Sequence, residues 1–163
     1  ERLAAAKDAT PLMVQTTPKR RSGRRGSREE LLVARLHGSG AAGLQASDEA
    51  PASREYGARF EGALVLAPYD PEHFADNVSG VVLDALLRGA PVVASAGSFP
   101  GRMVERFGAG EVLRERTPQA LAAAIDRVRR DWPAVCERAQ AAARTLAAEH
   151  DPAQLVRALR EGA

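Results

Sequence analysis

Aromatic residues are scarce in this 163-residue chain, at 4% of the total, and cysteine occurs once, as Cys136. A single thiol rules out an intramolecular disulfide framework and agrees with a reducing cytoplasm, the compartment expected here. So few rings argue against the stacking platforms that hold single-stranded nucleic acid, so no nucleic-acid partner is expected. No apolar run approaches the roughly 20 residues of a membrane span, and no signal peptide is visible. The chain starts at Glu1 rather than at an initiator Met, which suggests a fragment. What is plentiful is Ala, Val and Leu within a 45% hydrophobic composition. That is a globular composition, suited to an α/β domain with Ala-rich covering helices.

The charge is unevenly distributed. Lys19, Arg20, Arg21, Arg24, Arg25 and Arg28 form a basic run without an acid among them, and the net charge of +2 becomes −4 once these six are set aside. Such a run can meet a nucleic acid or an anionic lipid, which leaves peripheral membrane contact open. With no aromatic residue inside it, a solvated loop or one facing a diphosphate fits better.

Patterning predicts an alternation of strands and helices. Leu12–Thr17 reads as a strand, Pro18–Ser27 as a loop, and Ser27 as the cap of a helix running to Gly38, with Glu30 at the capping-box spacing. Ala4–Asp8 reads as a short helical remnant. Gly43–Ser47 is a short strand, and Ser53 caps a helix containing Tyr56 and Phe60. The strand Leu64–Ala67 follows, then a loop over Tyr69–Asn77, a helix over Ser79–Arg88, a Gly-Ala-Pro turn and the strand Pro91–Ala94. A loop, Ser95–Gly101, opens a helix around Met103, and Glu111–Leu113 is an edge strand. Thr117 caps a helix in which Leu121, Ile125 and Val128 fall at helical spacing. Trp132-Pro133 reads as a break, and two C-terminal helices fill 134–163. The expected fold is one Rossmann-like parallel sheet flanked by helices, with ligands bound at the carboxyl ends of its strands.

The richest segment is Asp76-Asn77-Val78-Ser79-Gly80-Val81-Val82-Leu83-Asp84, followed by Arg88-Gly89-Ala90-Pro91-Val92-Val93. One carboxylate precedes a helix and a second lies on it. Between them a helix start exposes backbone N–H groups that favour an anion. Hydroxyls at both ends of a ligand with phosphates in its middle would match that order. From about Ser53 onward the chain resembles the C-terminal, nucleotide-sugar-binding domain of GT-B glycosyltransferases, in particular family 4. The resemblance rests on the two acids with seven residues between them, the Gly-x-Pro-Val-Val strand, the approach Leu64–Pro71 and the Ser79-Gly80-Val81 helix start. The family usually carries Glu at both acidic positions, where this chain has Asp.

The resemblance implies that residues 1–163 form a single donor-binding domain, the C-terminal half of a GT-B enzyme. That enzyme would transfer a hexosyl group from a nucleoside diphosphate sugar to an acceptor hydroxyl, as in polysaccharide biosynthesis, with no cofactor and no metal. Asp84 would bind the ribose, and Asp76 would face hydroxyls of the donor sugar as the catalytic residue of the set, positioning rather than protonating it. The backbone of Val78, Ser79 and Gly80 would meet the diphosphate, with Arg20 and Arg24 neutralising it. The acceptor glycan, lipid or small molecule would bind through an N-terminal domain.

Plainer readings stand beside these. Asp84 could merely complement the helix dipole, Asp76 could be a solvated loop acid, and Ser79 could be only an N-cap. His73 lies beside the proposed site; His37 and His150 fall at separate helix ends and form no metal-ligand pattern. The loop Gly97–Gly101 is either a sugar-site lining or a plain turn. Two rival functions remain: a non-catalytic remnant that binds a nucleotide or a protein partner, and a nucleotide-sugar epimerase.

Overall fold

The computed structural model describes residues 10–15, 28–41 and 43–161. The helix expected over Ala4–Asp8, the end of the first strand and the basic loop up to Ser27 lie outside the described residues. The chain folds as two compact units, Glu1–Ser53 and Arg54–Ala163.

In the first unit, β1 (Leu12–Gln15) pairs in parallel with β2 (Leu44–Ser47), with Leu12 opposite Leu44 and Gln15 opposite Ser47. The helix α1 (Arg28–Gly38) lies between them in sequence. Leu12 and Val14 are half-buried while Met13 and Gln15 are exposed, the alternation of a strand covered on one face.

In the second unit, α2 (Ser53–Ala58) leads to β3 (Val65–Ala67), and a short α3 (Pro71–Phe74) precedes α4 (Gly80–Leu87). Then come β4 (Val92–Ser95), α5 (Phe99–Phe107), β5 (Gly110–Leu113), α6 (Pro118–Arg130), α7 (Trp132–Glu149) and α8 (Pro152–Glu161). The three strands form a parallel sheet in the order β3-β4-β5. Where the sequence suggests one sheet, the strands pair as a two-stranded and a three-stranded one. Alternating helices and parallel strands are compatible with a Rossmann-like arrangement.

Every residue of β4 is buried, as a central parallel strand covered on both faces must be. Val92 and Ala94 face one core, with Leu86, Met103, Val104, Ala139 and Leu146. Val93 faces the other, with Leu113, Ala124, Val128 and Val135. The Gly-Ala-Pro turn ends α4 in a Schellman arrangement. Gly89 takes φ 70°, its N–H donates to Leu86 O at 3.0 Å, and Ala90 N–H donates to Ala85 O at 2.9 Å.

Three boundaries differ from expectation. Asp70 caps α3, where the sequence suggests only a loop; its Oδ1 accepts from Glu72 N–H at 3.1 Å and Pro71 supplies the preset φ of a first helical residue. Trp132-Pro133 forms the first turn of α7 rather than a break, because a proline there has no intrahelical N–H to lose. The loop after β4 is shorter than expected, since Ser98 caps α5 and the helix begins at Phe99.

Two glycines permit the closest backbone approaches in this unit. A Cβ on Gly101 would lie 2.1 Å from Ser95 O, and one on Gly110, where φ is 148°, would lie 1.8 Å from Val92 O. Neither obstacle is a side chain that could swing aside. Gly101→Ala and Gly110→Ala are each expected to cost roughly 3 kcal/mol or more, read as a lower urea midpoint. Ser95 behaves differently: it is fully buried, and its Oγ has no hydrogen-bond partner among the described residues. Ser95→Ala should leave stability unchanged or raise it by about 1 kcal/mol in the same titration.

Candidate functional site

Because β3, β4 and β5 are parallel, the loops after Ala67, Ser95 and Leu113 leave the same edge of the sheet, and α4, α5 and α6 begin there. Their starts are not equivalent. At α5, the buried Ser98 Oγ donates to Ser95 O at 2.7 Å and accepts from Gly101 N–H at 3.1 Å, and Pro100 removes one donor. At α6, Thr117 Oγ1 accepts from Ala120 N–H at 3.1 Å and Pro118 removes one donor. At α4, Ser79 Oγ accepts from Val82 N–H at a long 3.4 Å and donates to the Tyr69 hydroxyl at 3.3 Å. The N–H groups of Gly80 and Val81 meet no acceptor among the described residues. No acid lies in the first turn, and beyond its chain neighbours and the helix's own backbone no atom lies within 4 Å of where a Gly80 Cβ would sit. The start of α4 is therefore open, with its partial positive charge uncompensated.

Tyr69 stacks on Phe74 with ring centroids 4.4 Å apart, which fixes the hydroxyl that Ser79 meets. Val78 is exposed and Ser79 is buried. Asp76 projects into solvent with 97% of its side-chain surface exposed, so nothing packs against it. Its one charged neighbour among the described residues is Arg102, with Nη2 3.5 Å from Oδ1. Arg102 also donates to Ala75 O at 2.6 Å and to Gly97 O at 3.4 Å, joining the loop before α4 to the loop after β4. Arg116, from the loop after β5, reaches Asp70 at 3.4 Å, and His73 is 3.8 Å from the same carboxylate. The edge thus carries one guanidinium group on α5, another on the loop after β5, and acids on the stretch between β3 and α4.

Asp84 is half-buried, and Tyr56 donates its phenolic hydrogen to Asp84 Oδ2 at 2.9 Å. That bond meets the cost of a carboxylate among Val82, Leu83, Ala85 and Leu86. Burial, and then the bond to Asp84, push the Tyr56 phenol up to about 12. One turn on from Asp84, the Arg88 guanidinium lies against Gly57, where a Cβ would come within 3.0 Å of Nη1. Arg88 also stands over the Phe60 ring, 6.0 Å from its centroid.

Asp76, Val78, Ser79 and Gly80 therefore follow one another into the start of α4, and Asp84 lies one turn further along the same helix. Arg20 and Arg24 lie outside the described residues. Arg102, Arg116 and Tyr56 are not singled out as site residues by sequence reasoning. Each acts across elements distant in sequence, and only Tyr56 carries a hint, as the aromatic residue of a polar helix. Cys136 is a free, half-buried thiol whose pKa burial raises. Among the described residues, no group of three or more His, Cys, Asp and Glu side chains is placed to hold a metal, and no helix is long and apolar enough to cross a membrane. A groove of about 550 Å³ runs beside β5, lined by Glu105, Val112, Arg114, Ala123 and Arg127 among others, and none of residues 68–88 lines it.

The chain matches no protein-family model, no curated protein and no solved structure.

The Tyr56 phenol supplies a pH test. Its folded pKa is raised above the ordinary value of 10, so the stability it contributes is fully present below pH 10 and is lost as pH rises towards 12. Thermal melts across that window should fall less steeply in Tyr56→Phe than in the wild type, and ultraviolet titration should lose its latest-ionising phenol.

Proposed function

We propose that the second unit binds a nucleoside diphosphate sugar as the donor for glycosyl transfer. The observation that carries this reading is the start of α4: open, free of acid in its first turn, and one turn from a carboxylate half-buried in the same helix. Such a helix start suits the negative charge of a diphosphate, and the N–H groups of Gly80 and Val81 are the donors it would engage. Asp84 suits hydroxyls of the ribose on one side. Asp76, extended and unpacked, suits hydroxyls of the sugar on the other. Ser79 and Gly80, which carry part of the resemblance to the GT-B donor domain, form this helix start.

In the transfer itself, negative charge grows on the departing diphosphate as the bond to the anomeric carbon breaks. Preorganised donors at the helix start lower that barrier, and Arg102, on α5, brings a guanidinium to Ala75 in the loop leading to it. Asp76 and Asp84 act by orienting hydroxyls, which brings the anomeric carbon into line with the acceptor oxygen. Neither needs to exchange a proton with substrate. A donor-binding unit that lacks turnover would rest on the same geometry.

Thermal shift and calorimetry with UDP and GDP test the reading, since a ligand bound only by the folded state raises its melting temperature. Asp84→Ala should weaken the bound nucleotide about 10- to 100-fold, the worth of a charge-assisted hydrogen bond. Gly80→Glu separates binding from folding. An acid in the first turn suits the helix dipole and the position has room for it, so the melting temperature should hold or rise slightly. The same acid repels phosphate, and affinity should fall at least about 10-fold. Wild-type protein that neither UDP nor GDP protects would overturn the reading.

A further inference from the structure

The Tyr56 hydroxyl occupies one oxygen of the Asp84 carboxylate, Oδ2, at 2.9 Å. No donor among the described residues reaches the other, Oδ1, and that atom is not among the buried unpartnered ones. The phenol is itself held in place. Its ring meets Phe60 edge-on, with centroids 5.1 Å apart and planes at 87°, and Phe60 is buried in the core. The next residue of α2, Gly57, is buried under the guanidinium of Arg88, the C-cap of α4, so two consecutive positions of α2 meet α4 and its cap.

A carboxylate can ordinarily use both oxygens to grip a vicinal diol. Here one oxygen already accepts from the phenol, and that rigid donor restrains the rotation of the side chain. We infer that Tyr56 is a positioning residue: it holds Asp84 so that Oδ1 is presented to the ribose hydroxyls, and it thereby makes the site selective for a ribonucleotide over one lacking the 2′- and 3′-hydroxyls. The inference rests on the nucleotide-binding reading of Asp84. It goes further in naming the residue that sets the carboxylate's geometry and the sugar feature that this geometry selects. Without the phenol, Oδ2 is free, the carboxylate rotates, and the oriented acceptor is lost although the charge remains. A dideoxynucleotide makes no bond to Asp84 and is indifferent to that change.

The test measures dissociation constants of UDP, GDP and their 2′,3′-dideoxy forms for wild type, Tyr56→Phe and Asp84→Ala. Phenylalanine keeps the ring against Phe60, and a cooperative thermal melt checks that the fold is kept. Wild type should prefer the ribonucleotide by about 10-fold or more, from one oriented charge-assisted hydrogen bond. Tyr56→Phe should reduce that preference to about 3-fold or less, through weaker ribonucleotide binding at unchanged dideoxynucleotide affinity. Asp84→Ala should abolish it. A merely structural role for Tyr56 predicts instead that both nucleotide forms weaken together or that neither does, and either result overturns the inference. Wild-type protein that binds none of the four nucleotides removes the donor-site reading itself, and this inference with it. Ribonucleotide preference that survives in Tyr56→Phe removes this inference alone.

Discussion

The second unit depends on a central strand that gives up all of its surface. β4 has no exposed residue, and each of its faces closes a different apolar cluster. Burying backbone so completely is tolerable only because both neighbours are parallel strands that take up its hydrogen bonds. It also demands small residues wherever a neighbour crosses. Gly110 meets the Val92 carbonyl, Gly101 meets the Ser95 carbonyl, and Ala67, Ala85, Ala94, Ala109 and Ala139 fill the layers around them. The Ala-rich composition is thus the condition under which helices can sit this close to the sheet.

That packing explains where chemistry can occur. With the faces sealed, polar groups are free to gather only where loops leave the sheet. The edge at the carboxyl ends collects Tyr69, Asp70, Asp76, Arg102 and Arg116 on three different connections. Of the helix starts there, those of α5 and α6 each leave one N–H without an acceptor among the described residues, at Phe99 and Gln119, because a cap and a proline take up the rest. That of α4 leaves two in succession, at Gly80 and Val81. The same helix carries Asp84, whose carboxylate is tolerated in a half-buried position because α2 supplies a phenolic donor.

Much of the local structure is legible from residue order. Ser79, Gly89 and Pro91 mark the limits of α4, and Thr117 marks the start of α6, because capping chemistry acts over three or four residues. The stretch Pro91–Ala94 reads as a buried strand for the same local reason, and β4 runs one residue later at each end. Asp70-Pro71 is an equally local helix signal, yet the polar run around it reads as loop; Trp132-Pro133 reads as a break although proline fits a first turn. The site divides along the same line. Asp76 to Asp84 is one continuous segment and shows its character in sequence. Tyr56 on Asp84 is a contact across 28 positions and Arg102 on Asp76 one across 26, and no spacing rule reaches that far. The pairing of strands into two sheets is likewise a matter of long-range partners, which patterning cannot choose.

The Gly101 contact has a bearing on how such a site could be altered. Where the start of α5 presses on the Ser95 carbonyl, not even a methyl group fits, so the connection after β4 is rigid on one side of the edge. On the other side, Glu72, Asp76, Asn77 and Val78 stand exposed on a stretch that crosses to α5 through Arg102. Mutational libraries aimed at new ligand preference would therefore retain more folded members if diversity were placed at those four positions and residues 95–101 were held constant.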